Sequence, residues 1–158
     1  LATGLEFLLA YPYGCLEQTV SASFPLLYLA DLAAATKPGS MTRDDTAQYV
    51  QAGVLRVLSM QQYNGGFAYW PQCNGTWAWG SVYATHFLVE ADKAGFEVPK
   101  DTLDEALSFL EQHVEELDWR ERDDENDTWH ANAYNRAYAC WVLATAGRRP
   151  IRSRAEPM

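Results

Sequence analysis

The 158-residue sequence predicts an all-α domain built from stacked helical hairpins, and three observations carry that prediction. Apolar residues recur at helical spacing through most of the chain. No segment alternates as a convincing strand; the best candidate is the short run GGFAYW at 65–70. Loops rich in glycine and aromatic residues separate the helical runs, as in arrays whose hairpins each keep one helix inside and one outside.

The elements follow in order. LATGLEFLLA at 1–10 is apolar, but it has no basic leader, and Pro12 and Gly14 break it before it could span a bilayer. A first helix is expected over 15–36 with a kink at Pro25, whose ring cannot donate and crowds the preceding turn. The second runs from about 43 to 61, with Val50, Gly53, Val54, Val57 and Leu58 on one face. YNGGFAYWPQCNGTWAWG, residues 63–80, is an aromatic-dense connection. A third helix covers 80–94 and ends at Gly95. The fourth covers 102–117, with Asp101 or Thr102 as N-cap and Leu103, Ala106, Leu107, Leu110, Val114 and Leu117 inward. In the last, Tyr134, Ala137, Tyr138, Trp141, Val142 and Thr145 trace the face, and Gly147 is the stop. About five helices make two and a half hairpins, an incomplete array whose uncovered apolar faces predict self-association or marginal stability. The missing initiator methionine and the basic end RRPIRSRAEPM suggest a piece of a longer protein. Residues 1–148 are read as the domain and 149–158 as an added tail or a truncated next segment.

Composition narrows the function. With 48% hydrophobic and 13% aromatic residues the chain supports one real core. A net charge of −9 repels phosphate backbones, which argues against nucleic acid as a partner. The run ERDDEND at 121–127 reads as a solvated loop; it lacks the glycine and closing glutamate of an EF-hand. Cys15, Cys73 and Cys140 form no zinc spacing. A Cys73–Cys140 disulfide is open, although Cys140 sits in an apolar helical pattern that suits a buried small hydrophobe. The sequons at Asn74 and Asn126 matter only in a eukaryotic secretory pathway.

The stretch that carries chemistry is YPYGCLEQ at 11–18. On a helix, Cys15 and Gln18 at i and i+3 share a face, with Cβ atoms about 5–6 Å apart. A thiolate there reaches the carboxamide carbon, and loss of ammonia leaves an internal thioester. Pro12 and Gly14 let the chain turn sharply into the cysteine, and a helix N-terminus favours a thiolate. Tyr11, Tyr13 and Trp70 are candidates to keep water off the bond. Spacing alone leaves a structural thiol at a helix start as the alternative.

YPYGCLEQ resembles the thioester motif of bacterial α2-macroglobulins. The resemblance continues through TVSASFPLLYLADL, LSMQQYNGGFAYWP, SVYATHFLVEADKAGFEVP and NRAYACWVLATAG, and so covers nearly all of 1–148. It implies an α/α toroid of about six hairpins, of which this chain holds half or slightly more. By the same resemblance Cys15 and Gln18 are the thioester residues, with Leu16 and Glu17 between them. The implied parent is a single-use protease inhibitor, not an enzyme. Cleavage of a bait segment elsewhere opens the thioester, and a lysine amine of the target protease attacks it. The implied partners are target proteases and other domains of the same parent. No cofactor or metal is implied. The implied address is the periplasm or cell envelope, with a lipid anchor at the parent's distant N-terminus.

His130, before the last helix, is the candidate for a histidine that relays the acyl group to hydroxyls in some complement relatives. His86 reads as a packed core histidine and His113 as a solvated one. Three other readings compete. A toroid enzyme, terpene cyclase-like or sugar-active, needs acidic residues on facing helices, and Asp44-Asp45 and Asp123-Asp124 lack i, i+4 spacing. A cysteine hydrolase using Cys15 and His130 lacks a third residue and an oxyanion glycine run. A scaffold domain that has lost its thioester is the third, and the presence of both Cys15 and Gln18 argues against it.

Overall fold

The computed structural model describes residues 14–28, 42–114 and 133–149. These hold five helices: α1 (Leu16–Ser23), α2 (Arg43–Leu58), α3 (Ala78–Lys93), α4 (Lys100–His113) and α5 (Ala133–Thr145). Among the described residues there is no strand, only a bridge between Gln61 and Phe67 at the start of GGFAYW. The helical architecture of an α/α toroid is therefore the one observed.

α3 is the inner helix and packs against all four others. Accordingly ten of its sixteen residues are buried, from Ala78 and Val82 to Phe87, Leu88 and Ala91, as expected of a helix with neighbours on every side. Its outer neighbours carry single apolar stripes. On α2 the stripe is Val50, Gly53, Val54 and Val57, as the spacing predicts. On α4 it is Leu103, Ala106, Leu107 and Leu110, continued by Val114. α1 runs antiparallel to α2, with Ser23 against Gly53 at one end and Gly14 against Arg56 at the other. Their approach at Gly53 is close enough that a Cβ there would lie 2.0 Å from Ser23 Oγ and 2.8 Å from Ser23 Cβ.

Several helix boundaries and one buried face differ from the sequence expectation. α1 ends at Ser23 instead of kinking at Pro25, because residues 24–25 form a turn before a last helical turn at 26–28. α2 stops at Leu58, where Met60 and Gln61 donate back to Val57 and Leu58 in tight turns. α4 begins at Lys100 with Pro99 as N-cap, not Asp101 or Thr102, since proline is tolerated where a helix needs no donor. In α5 the buried face is Ala139, Val142 and Leu143. Trp141 is 52% exposed, so the predicted face is rotated. The expected stops hold: Gly95 and Gly147 have φ of +90° and +73°, and the following N–H groups of Phe96 and Arg148 reach back to Ala91 and Leu143. Arg148 then pairs with Asp104 and Glu111, tying the end of α5 to α4.

Cys73 is exposed and Cys140 half-buried, and neither is bridged. The disulfide left open by the sequence is absent, and Cys140 is less buried than its pattern suggests. His113 is not simply solvated. Its ring stacks on Phe109 at 4.2 Å and its Nδ1 lies 2.8 Å from the Phe109 carbonyl oxygen.

His86 is half-buried, with Phe24 and Trp141 edge-on at 4.5 and 4.6 Å and Nδ1 2.8 Å from the Tyr138 hydroxyl. Burial, the largest influence, holds its imidazolium below the ordinary histidine range, although Glu90 pulls the other way. A depressed histidine stabilises the fold fully above its unfolded value of about 6.5 and loses that contribution as pH falls toward its folded one. Thermal unfolding should therefore shift to lower temperature between pH 7.5 and pH 5. His86→Gln should reduce this pH dependence; an unchanged pH profile would show that His86 does not contribute to it.

Candidate functional site at the start of α1

The long connection after α2 is anchored before it reaches the site. Phe67 is fully buried; its N–H donates to Ser81 Oγ at 2.8 Å, and its carbonyl accepts from Trp77 N–H at 2.8 Å. Gly65, at φ +86°, lies so close to Glu105 that a Cβ would reach 2.2 Å from its carbonyl oxygen. This clamp presents Tyr69, whose carbonyl accepts from Leu16 N–H at 3.0 Å. One of the orphan donors at the start of α1 is thereby satisfied by the loop.

Cys15 is the N-cap of α1 and is buried; its backbone is extended, with φ −60° and ψ 173°. Its carbonyl accepts the first helical bond, from Thr19 N–H at 2.9 Å. Gln18, at the third helical position, turns back so that Oε1 accepts from the Cys15 N–H at 3.1 Å. The sulfur faces the Gln18 backbone N–H, closing a capping box. That second half is weak, because sulfur accepts poorly. Thiol and carboxamide are thus held on one turn by the helix start itself. Gln18 lies at the exposed edge while Cys15 is buried.

Gly14 is required by this closure. A Cβ there would sit 2.7 Å from Gln18 Cβ and 3.4 Å from Gln18 Oε1. Its carbonyl accepts from Thr19 Oγ1 at 3.2 Å and from Arg56 Nη2 at 3.4 Å.

Tyr69 lies beside Cys15, and interaction with the Cys15 side chain, hydrogen bonding ahead of charge, raises its phenol above the ordinary range. Its ring meets Trp77 at 4.9 Å and Trp70 at 5.9 Å. From Trp77 a row of rings continues through Trp79, Tyr83 and Phe24 to His86. The site therefore has an aromatic flank.

Of the residues singled out in the sequence, Cys15 and Gln18 lie on one turn, joined by the Cys15 N–H to Gln18 Oε1 bond, and Trp70 is a partly exposed neighbour of Tyr69. Tyr11, Tyr13 and His130 lie outside the described residues. Tyr69 and Arg56 were missed: 54 and 41 positions from Cys15, neither shares a local spacing with it. Asp44 and Asp45 are exposed at the start of α2, where Thr42 is the N-cap and the Asp45 carboxylate accepts from the Thr42 N–H at 2.9 Å. Among the described residues no group of three or more His, Cys, Asp or Glu could hold a metal ion. No described helix is long and apolar enough to cross a membrane.

Comparison with known proteins places this chain in a family. The A-macroglobulin TED domain model matches residues 2–146. Alpha-2-macroglobulin of Escherichia coli is 33% identical over 153 residues, covering 96% of this chain and 9% of that protein. The Rickettsia conorii alpha-2-macroglobulin is 31% identical over 147 residues, covering 87% of this chain and 7% of that one. Among solved structures, native E. coli alpha-2-macroglobulin from domain MG7 to the C-terminus superposes with a TM-score of 0.77 at 31% identity, covering 94% of this chain and 24% of that one. Salmonella alpha-2-macroglobulin reacted with methylamine gives 0.77 at 34% identity, with 94% and 10% covered. The chain spans less than a tenth of the curated relatives named here. It belongs to the bacterial alpha-2-macroglobulin family and corresponds to its TED domain.

Proposed function

We propose that Cys15 and Gln18 form an internal thioester and that the longer parent chain uses it to capture proteases covalently, once per molecule. The observation that carries this reading is the Gln18 carboxamide folded back onto the Cys15 N–H, with the thiol on the same turn. The solved relatives add support: one is a Salmonella protein reacted with methylamine, and others are E. coli proteins activated by trypsin and by porcine elastase.

In the forming step the Cys15 sulfur adds to Gln18 Cδ and charge builds on Oε1. The C–N bond breaks, and the nitrogen leaves as ammonia with the thiol's proton. In capture, a lysine amine of the protease adds to the same carbon. The C–S bond breaks, an amide forms, and the amine's proton passes to the sulfur. Tyr69, facing that sulfur, stabilises it as it departs. The reaction consumes the bond, so the parent inhibits without turning over, in the cell envelope that the resemblance implies. The test is incubation of the full-length parent with trypsin. A conjugate that survives denaturing electrophoresis, at no more than one protease per thioester, is expected. Continuous turnover of a substrate at Cys15, without a conjugate, would contradict the reading.

A further inference from the structure

We infer that the Cys15 backbone N–H is the oxyanion donor of this site and that Arg56 is the positioning residue that strengthens it through the Gly14–Cys15 peptide. The inference rests on the thioester reading above. One peptide group connects the two ends. Its N–H donates to Gln18 Oε1 at 3.1 Å, the oxygen on which charge builds whenever a nucleophile adds to Cδ. Its C=O accepts from the Arg56 guanidinium at 3.4 Å and from Thr19 Oγ1 at 3.2 Å. Donation to a peptide oxygen draws electron density through the amide and makes its N–H a better donor, as in other hydrogen-bond chains. A fixed donor aimed at a developing oxyanion stabilises the transition state more than the ground state.

Arg56 is built into this place. It stands on α2, three residues after Gly53, at the antiparallel contact with α1. Its Nη2 makes the Gly14 contact, while its Nε is buried with no hydrogen-bond partner among the described residues. The guanidinium gives the site a fixed positive charge that does not itself touch substrate. The same donor serves both directions, since bond formation and amine attack place charge on the same Oε1.

The experiment uses the full-length parent, with the bond scored by intact mass and methylamine as the nucleophile. Arg56→Met is expected to slow methylamine opening, per intact bond, on the order of tenfold, less than the about 10²–10³-fold a complete oxyanion donor contributes. Arg56→Lys should recover most of the rate. A structural role would not move the second readout, the infrared stretch of a ¹³C-labelled Gln18 carbonyl. It should rise in frequency in Arg56→Met, as polarisation is lost, and return in Arg56→Lys. If Arg56→Met does not fold, Thr19→Val carries the test, with opening slowed about two- to threefold and a smaller shift in the same direction. A folded variant with wild-type rate and wild-type stretch overturns the role of Arg56. A wild-type parent that has lost no ammonia instead overturns the thioester reading beneath it, so the two failures are distinguishable.

Discussion

Cys15→Ser in the full-length parent is expected to abolish covalent protease conjugates to below detection while leaving the protein folded. A serine hydroxyl is far less acidic than a thiol and does not displace ammonia from a carboxamide, so no acyl bond is stored. The structural cost should be small. Serine is a favoured N-cap, and its oxygen can accept from the same Gln18 N–H that the sulfur now faces. A change in stability of about 1 kcal/mol or less is expected. Gln18→Ala removes the acyl carbon itself and should give the same loss of capture. It should cost somewhat more stability, because the Cys15 N–H loses its partner at 3.1 Å. Electrophoresis after denaturation reads the outcome. Conjugates that persist in either variant would place the covalent chemistry elsewhere.

The largest effect on stability is expected from Gly53→Val. Even the first added carbon would lie 2.0 Å from Ser23 Oγ and 2.8 Å from Ser23 Cβ. Rotating the serine hydroxyl relieves only the first contact. The second requires α1 and α2 to separate, and with them Gly14 and Arg56 at the other end of the same pair. Overpacking of this kind costs about 2–3 kcal/mol, which the higher helix propensity of valine over glycine offsets only in part. Thermal unfolding would report it. Ser23→Gly in the same background should recover part of the loss, and an absence of coupling between the two positions would refute the contact as the cause.

The helices were legible because their signals are local. Val50, Gly53, Val54 and Val57 repeat at the helical period and are buried as a set. Gly95 and Gly147 mark stops that demand positive φ. The pair Cys15–Gln18 was legible for the same reason, since i and i+3 define a face before any tertiary contact exists. What surrounds the pair was not. Tyr69 reaches Leu16 only because Phe67 and Gly65 clamp a long loop, and Arg56 reaches Gly14 only because Gly53 lets two helices close up. Both depend on contacts between distant segments, which periodicity does not encode. The rotated face of α5 has a related origin. Trp141 falls on the periodic face, yet it meets His86 edge-on with half its surface exposed, while the smaller Ala139, Val142 and Leu143 fill the interior.

The most direct test of the stored bond is the intact mass of the full-length parent, with a thiol titration, before and after methylamine. The thioester reading predicts a mass one ammonia below the sequence. Methylamine should then add its full mass and expose one new thiol at Cys15. A mass equal to that of the sequence, with Gln18 an unmodified glutamine and no thiol gained, would contradict it.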